Sequence, residues 1–238
     1  MVQKKFPYSR QEINKSDIKS VVNILKSNYL TQGPTVGKFE KEICKKIGAK
    51  YAVAVNSATS ALHISCLSLN LKKNDRIWTV PTTFVSTANC GLYCEAKIDF
   101  VDIDPRTFNI DVDKLEKKLI NSKIKPKILV TVHLAGQPPD QERIKKLSKK
   151  YKFFILEDAS HALGASRKKQ KVGNCKWSDI TVFSFHPVKI ITTGEGGIAV
   201  TNNKKIYEKL EILRSHGITR KKSKLKKTAM KISGEQVW

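Results

Sequence analysis

The stretch Lys127-Ile-Leu-Val-Thr-Val132, followed by a helical pattern over residues 140–151 and then by Phe153-Phe-Ile-Leu156, decides the fold of this 238-residue chain. Both runs are short and largely apolar, and they lack the alternation of apolar and polar residues that is typical of a strand with one solvent-exposed face. Two such strands joined through an amphipathic helix are typical of parallel strands in a sheet covered on both faces.

The same order recurs on both sides of this stretch. Further strands are predicted over residues 51–55, 76–80, 180–183 and 197–201, with helices over residues 58–69 and 84–94. Two more helices, over residues 16–25 and 36–47, precede the sheet, and the turn Thr31-Gln-Gly-Pro34 separates them. The chain is therefore predicted to be an α/β protein with a mostly parallel sheet covered by helices on both faces.

We divide the chain into three parts. Residues 1–35 are an amino-terminal helical segment and turn, residues 36–219 are the large domain, and residues 220–238 are a basic tail. The longest apolar runs fall far short of the roughly 18 residues that a membrane span needs. No apolar stretch follows the first lysines, as a secretory signal requires. We expect a cytoplasmic protein with no membrane partner.

Basic residues outnumber acidic ones, 45 lysines and arginines against 21 aspartates and glutamates, for a formal charge of +24. This charge raises the hypothesis of nucleic-acid binding, since lysine and arginine neutralise phosphates. Only seven of the basic residues are arginines, which read phosphates with a bidentate fork, and the lysines are spread over almost every predicted helix. We therefore expect a solvated surface and no nucleic-acid partner. The alternative predicts duplex binding that weakens steeply with salt.

The five cysteines do not form a zinc-ligand pattern. Cys90 and Cys94 stand four residues apart and could share a helix face, but no second pair follows at a suitable spacing. We expect free thiols in a reducing compartment, no disulfide framework and no metal site.

Short polar turns follow four of the predicted strands. They are Asn56-Ser-Ala-Thr-Ser60, Pro81-Thr-Thr-Phe84, Glu157-Asp-Ala-Ser-His161 and Ser184-Phe-His-Pro-Val-Lys189. In open α/β sheets the ligand lies beyond the carboxyl ends of the strands, so these turns should face one site. The first turn can be a simple helix cap or a phosphate site, because Thr59 and Ser60 add hydroxyl donors to the free N–H groups of a helix start.

Three titratable residues in these turns could carry chemistry. Asp158 ends a buried strand, where its carboxylate can be a structural acid or a functional one. His161, three residues after Asp158, can lie on the same side of the turn as that carboxylate or serve only in packing. Lys189 lies among apolar groups and glycines, and such desolvation favours the neutral amine, which can condense with an aldehyde. This amine, the carboxylate and a phosphate-sized helix start match the needs of pyridoxal 5'-phosphate.

At these residues the chain resembles the DegT/StrS-type nucleotide-sugar aminotransferases, which have the aspartate-aminotransferase type I fold. The matching stretches run in order along nearly the whole chain and include Leu30-Thr-Gln-Gly-Pro34, Thr83-Phe-Val-Ser-Thr-Ala-Asn89, Glu157-Asp-Ala-Ser-His-Ala-Leu-Gly164, Phe183-Ser-Phe-His-Pro-Val-Lys189 and Arg214-Ser-His-Gly-Ile-Thr219. The resemblance implies that residues 36–219 are the large domain that binds pyridoxal 5'-phosphate.

The resemblance also implies a role for each candidate residue. Lys189 would form the Schiff base and then move the proton between the substrate and cofactor carbons. Asp158 would face the pyridine nitrogen, and His161 would lie near the phenolic oxygen. The remaining candidates are Phe84 to stack on the ring, Thr59, Ser60 and Ser184 for the phosphate, and Tyr8, Thr31 and His186 for the sugar nucleotide.

The reaction that the resemblance implies is a transamination. An amino group would pass from L-glutamate to the C4 ketone of a UDP-4-keto-6-deoxy-N-acetylhexosamine, a precursor of pseudaminic acid. The full-length family is expected to form homodimers. Its members continue beyond the point where this sequence stops, so we expect the small C-terminal domain to be missing. The alternative that stays open is a remnant that keeps the large-domain fold and acts only as a binding or partner protein.

Overall fold

A seven-stranded sheet forms the centre of the computed structural model, which describes residue 7 and residues 9–218. The helices within these residues are α1 (Lys15–Leu25), α2 (Pro34–Ile47), α3 (Ala58–Ser68), α4 (Ser86–Leu92), α5 (Val112–Asn121), α6 (Gln141–Tyr151) and α7 (Lys204–Arg214). The strands are β1 (Tyr51–Val55), β2 (Arg76–Thr79), β3 (Lys97–Phe100), β4 (Ile128–Val132), β5 (Phe154–Asp158), β6 (Ser166–Arg167), β7 (Gln170–Lys171), β8 (Ile180–Ser184) and β9 (Gly197–Thr201). A short 3-10 helix, Leu134–Gly136, follows β4.

The strand order in the sheet is β1-β9-β8-β5-β4-β2-β3. Neighbours among β8, β5, β4, β2 and β3 are parallel, whereas β9 is antiparallel to both β8 and β1. The predicted mostly parallel sheet is confirmed. Because β1 and β8 are both antiparallel to β9, every strand of this sheet except β9 ends at the same edge.

Helices cover both faces of the sheet, as the sequence predicts. On one face, α3, α4 and α7 pack against alternate strand residues that include Val130, Leu156 and Val182. On the other face, α5 and α6 cover Leu129 and Ile155. The second half of that face is covered by α2 and the segment around the β6–β7 hairpin. The large buried core that results holds the strand ends in fixed positions.

The sequence pattern does not predict β3, α5 or α7. β3 is a four-residue edge strand whose residues are exposed or half-buried, so it lacks a continuous apolar run. In α5 and α7 a few apolar residues form one narrow face of the helix, and they are separated along the sequence by many charged residues. The helix predicted over residues 84–94 is shorter than expected, since α4 begins at Ser86 and ends at Leu92.

α1 differs from the other helices because none of its residues is buried. It is held locally by a capping box, in which the Asn14 side chain accepts from the N–H of Asp17 and the Asp17 carboxylate accepts from the N–H of Asn14. The division of the chain after residue 35 and after residue 219 stays a prediction. The basic tail lies outside the described residues.

All five cysteines lie within the described residues as free thiols. Cys66, Cys90 and Cys94 are buried in the core between α3 and α4. Burial, with the neighbouring Cys90, raises the pKa of Cys94 to about 11, which keeps this thiol unreactive.

In the part of the chain that the structure describes, no helix is long and apolar enough to cross a membrane.

Candidate active site

A cavity of about 550 Å³ opens at the edge of the sheet where the parallel strands end, a size that suits a small-molecule ligand. Its walls come from the ends of β1, β4, β5 and β8 and from the loops that follow β2 and precede β9. Most of the predicted site residues line it, namely Thr59, Phe84, Asp158, His161, Ser184, His186 and Lys189.

The first wall is the start of α3. Ser57 caps this helix, since its Oγ accepts a hydrogen bond from the N–H of Ser60 at 3.1 Å and lies 3.1 Å from Ser60 Oγ. Thr59 lines the cavity beside it. A β-carbon on Gly197 would lie only 2.3 Å from the Ser57 carbonyl carbon and 2.4 Å from the nitrogen of Ala58. Only glycine lets β9 approach this turn so closely.

The second wall carries Asp158, which is 6% exposed. Thr87 Oγ1 donates to Asp158 Oδ2 at 2.7 Å, and Ser160 donates to Oδ1 from its hydroxyl at 2.6 Å and its N–H at 3.2 Å. Thr83 Oγ1 lies 2.7 Å from Thr87 Oγ1. Since the Thr87 hydrogen is already donated to Asp158, Thr83 must be the donor in that pair. These hydroxyls hold the carboxylate at one place in the cavity.

The third wall holds Lys189, whose Nζ lies 2.8 Å from His161 Nε2. Burial lowers the pKa of the Lys189 amine, and the Asp158 carboxylate opposes this without cancelling it. Burial also lowers the pKa of His161, with a further contribution from Lys189. Both groups are thus shifted towards their neutral forms, which suits an amine that acts as a nucleophile or base.

The remaining predicted residues lie at different distances from this centre. Phe84 lines the cavity and is 71% exposed as a residue, and Ser184 ends β8 at the cavity wall. Ser60 is not part of the lining and contacts Ser57 instead. Thr31 is exposed in the segment between α1 and α2 and does not line the cavity. Tyr8 lies outside the described residues.

Several residues in or directly behind the cavity wall have no sequence signal. Thr87, buried behind Asp158, lies inside α4, where a threonine gives no signal of its own, and His133 follows β4 without any motif around it. Ser160 is within the polar turn after β5 but does not look different from a capping serine. Glu195 lies in the glycine run before β9 and also lines the cavity.

The residues present fit the group that the resemblance implies. A buried carboxylate with two hydroxyl donors has a lone pair left for a ring N–H. The desolvated Lys189 amine lies beside His161, and no other lysine among the described residues lines the cavity. The start of α3, kept open by Gly197, offers N–H groups for a phosphate. The cavity therefore suits a phosphorylated aldehyde with a basic ring nitrogen.

The chain matches known proteins over most of its length. Residues 11–236 match the model of the DegT/DnrJ/EryC1/StrS aminotransferase family. The chain is 44% identical over 215 residues to the UDP-4-amino-4,6-dideoxy-N-acetyl-beta-L-altrosamine transaminase of Campylobacter jejuni, an alignment that covers 90% of this chain and 56% of that relative. The chain thus spans little more than half the length of the curated relatives it matches.

Solved structures show the same fold. Helicobacter pylori PseC, an aminotransferase involved in the biosynthesis of pseudoaminic acid, superposes with a TM-score of 0.83 at 41% identity, covering 92% of this chain and 58% of that one. The PLP-form of the putative sugar aminotransferase Spr1654 from Streptococcus pneumoniae has a TM-score of 0.83 at 31% identity, covering 90% and 59%.

Proposed function

This chain belongs to the DegT/DnrJ/EryC1/StrS aminotransferase family, and from that premise we propose that it is a pyridoxal 5'-phosphate-dependent transaminase. The amino donor is L-glutamate, and the acceptor is the C4 ketone of a UDP-4-keto-6-deoxy-N-acetylhexosamine. The observation that carries the proposal is the desolvated Lys189 amine, 2.8 Å from His161 in a cavity that also holds the buried Asp158.

Pyridoxal phosphate, when bound, supplies an aldehyde for an amine and a ring that withdraws electrons from the substrate carbon. Asp158 would accept a hydrogen bond from the ring N–H and keep that nitrogen protonated, while Thr87 and Ser160 hold the carboxylate in place. The start of α3, with Thr59 and Ser60, would bind the phosphate together with Ser184. Phe84 would cover one face of the ring.

Lys189 has two tasks in this proposal. Its neutral Nζ, favoured by burial, would hold the cofactor covalently until the amine of the donor displaces it. The freed Nζ would then be the base that moves a proton between the donor's α carbon and the cofactor side. His161 lies within hydrogen-bond distance of Nζ and would keep the amine directed at the reacting carbon. The reverse sequence aminates the keto sugar, so both half-reactions use one lysine.

The sugar-nucleotide substrate is proposed from two relatives. The Campylobacter jejuni relative is named as an altrosamine transaminase, and PseC is described as acting in pseudoaminic acid biosynthesis. Tyr8, Thr31 and His186 are the residues that we propose for the sugar-nucleotide side. The formal charge of +24 would attract a nucleoside diphosphate to the cavity.

We further propose that the working unit is a homodimer in the cytoplasm. Apolar side chains that are 41–71% exposed lie in the two segments at the cavity mouth, and they are Phe84, Val85, Val188, Ile190 and Ile191. A second copy of the chain would cover such a rim. The five free thiols suit a reducing compartment.

The experiment follows the two half-reactions separately. The protein is incubated with pyridoxal phosphate, and the visible absorbance band of the lysine-bound cofactor is recorded. L-glutamate should then abolish the band with release of 2-oxoglutarate, and the keto sugar should restore it. Absence of the band would refute the proposal. A band that glutamate leaves unchanged would favour the alternative, a protein that binds the cofactor without turnover.

A further inference from the structure

A second buried carboxylate lies directly behind the cavity. Glu157 precedes Asp158 on β5, and both side chains are buried, with Glu157 at 1% exposure. Successive side chains of a strand point to opposite faces of the sheet. Asp158 therefore faces the cavity side, where Thr87 of α4 binds it, and Glu157 faces the side covered by α6.

The contacts of Glu157 join four elements. Thr181 of β8 donates its hydroxyl to Glu157 Oε2 at 2.6 Å, and the Gln141 side chain of α6 donates to Oε1. His133, directly after β4, places its Nε2 3.7 Å from Oε1, which is an ion-pair distance rather than a hydrogen-bond distance. One carboxylate thus links the carboxyl end of β5, the residue just after β4 and the first half of β8, three strands that also contribute to the cavity walls.

The charge of this carboxylate is kept by its partners. Burial alone would raise the pKa of the Glu157 carboxyl, but the contacts with His133, Thr181 and Gln141 outweigh it and lower the pKa. A buried ionised carboxylate is stable only where its donors stay in place. The network therefore has one preferred geometry.

His133 connects this network to the cavity. It lines the cavity and is 1% exposed, and its backbone N–H donates to the backbone carbonyl oxygen of Asp158 at 3.0 Å. Among the described residues neither of its ring nitrogens has a hydrogen-bond partner. A buried imidazole with free nitrogens is costly unless something nearby uses them, and the Glu157 carboxylate is the group that faces Nε2.

We propose that Glu157 is a positioning residue of the active site, which orients the His133 ring at the cavity wall and fixes the end of β5 that carries Asp158. With Nε2 facing Glu157, Nδ1 of His133 has no hydrogen-bond partner among the described residues. The inference rests on the proposed function, since it concerns how tightly the cavity holds pyridoxal phosphate.

The test is the dissociation constant of pyridoxal phosphate, measured from the absorbance band in a double-mutant cycle. Glu157→Gln and His133→Leu should each raise it about tenfold, the effect of leaving a buried polar partner unmatched. The double variant should be no weaker than the single ones, because both remove the same interaction. His133→Gln, which restores a donor near the Nε2 position, should recover most of the loss.

The control is Glu142→Gln, which removes the charge of a half-buried glutamate next to Gln141 that pairs with Lys168 and should leave the constant unchanged. Variants that only lower the melting temperature, or single effects that add in the double variant, would overturn the inference. If Glu157→Gln does not fold, Thr181→Val decides, with an expected rise of about threefold from the loss of one hydrogen bond and refutation if none is seen. A wild-type protein without the band would refute the proposed function as well, so the two failures are distinguishable.

Discussion

Two clefts open at the same edge of the sheet, and their charged side chains behave in opposite ways. The smaller cleft, about 250 Å³, lies beside the loops after β3 and β4. Its ion pairs are Arg106 with Asp104, Arg143 with Asp113 and Arg167 with Asp140. In the larger cavity, none of the ion pairs found among the described residues includes Asp158 or Lys189. Charges in the small cleft serve the fold, whereas those in the cavity are left for a ligand.

The largest effect should come from Lys189→Ala, which removes the only lysine among the described residues that line the cavity. The absorbance band of the lysine-bound cofactor should disappear completely, because no other lysine of this lining can replace it. Lys149→Ala, an exposed lysine on α6, is the matched control and should keep the band. A band of normal height in Lys189→Ala would show that the charged groups of the cavity, like those of the small cleft, do not serve to bind the cofactor.

Gly197→Ala should have the next largest effect. The new β-carbon would meet Ser57 and Ala58 backbone atoms at 2.3 to 2.4 Å, and backbone cannot move aside as a side-chain tip can. The dissociation constant of pyridoxal phosphate should rise about tenfold or more, in line with the penalty for overpacking.

Gly37→Ala is the control for that change. Nothing lies within 4 Å of a β-carbon at Gly37 inside α2, so the variant should gain about 0.5–1 kcal/mol in free energy of unfolding and keep the same affinity. Equal behaviour of the two alanine variants in cofactor titration would show that the start of α3 holds no phosphate.

Thr87→Val should have an intermediate effect, since it keeps the shape of the side chain and removes the 2.7 Å hydrogen bond to Asp158. The dissociation constant should rise about fivefold to tenfold. Thr131→Val is the matched control, because the buried Thr131 hydroxyl has no partner among the described residues. That control should leave the affinity unchanged and the melting temperature equal or higher.

Arg143→Gln in the small cleft should have the smallest effect. Its guanidinium pairs with Asp113 at 2.6 Å, but both side chains are largely exposed to solvent. The free energy of unfolding should fall by less than about 1 kcal/mol, as measured by urea denaturation, with no change in the cofactor titration. A loss of cofactor affinity here would erase the distinction between the clefts.

Much of the fold follows from the sequence, and the reason is the local nature of the signals. The runs at β4, β5 and β8 are apolar throughout because they are buried on both faces, and the polar turns after them mark the carboxyl edge. The insertion of β9 between β1 and β8 could not be predicted, since pairing depends on contacts distant along the chain. The edge strand β3 lacks a signal because water covers it.

The site shows the same limit. Asp158 and Lys189 stand out because their neighbours in the chain are apolar or glycine, a pattern visible without coordinates. Thr87 gains its importance only from its hydrogen bond to Asp158, 71 positions away, and His133 only from its contact with Glu157, 24 positions away. Nothing in the flanking sequence of either residue indicates such a partner.

Chemical mapping of the lysine that binds pyridoxal phosphate tests the proposed role of Lys189 directly. The protein is incubated with the cofactor near pH 7, reduced with borohydride, digested and examined by mass spectrometry. Because its pKa is lowered from 10.5, Lys189 has more neutral amine than surface lysines at that pH, and this advantage shrinks as the pH rises towards 10.5. We expect one phosphopyridoxyl group, on Lys189. Label spread evenly over the surface lysines would contradict it.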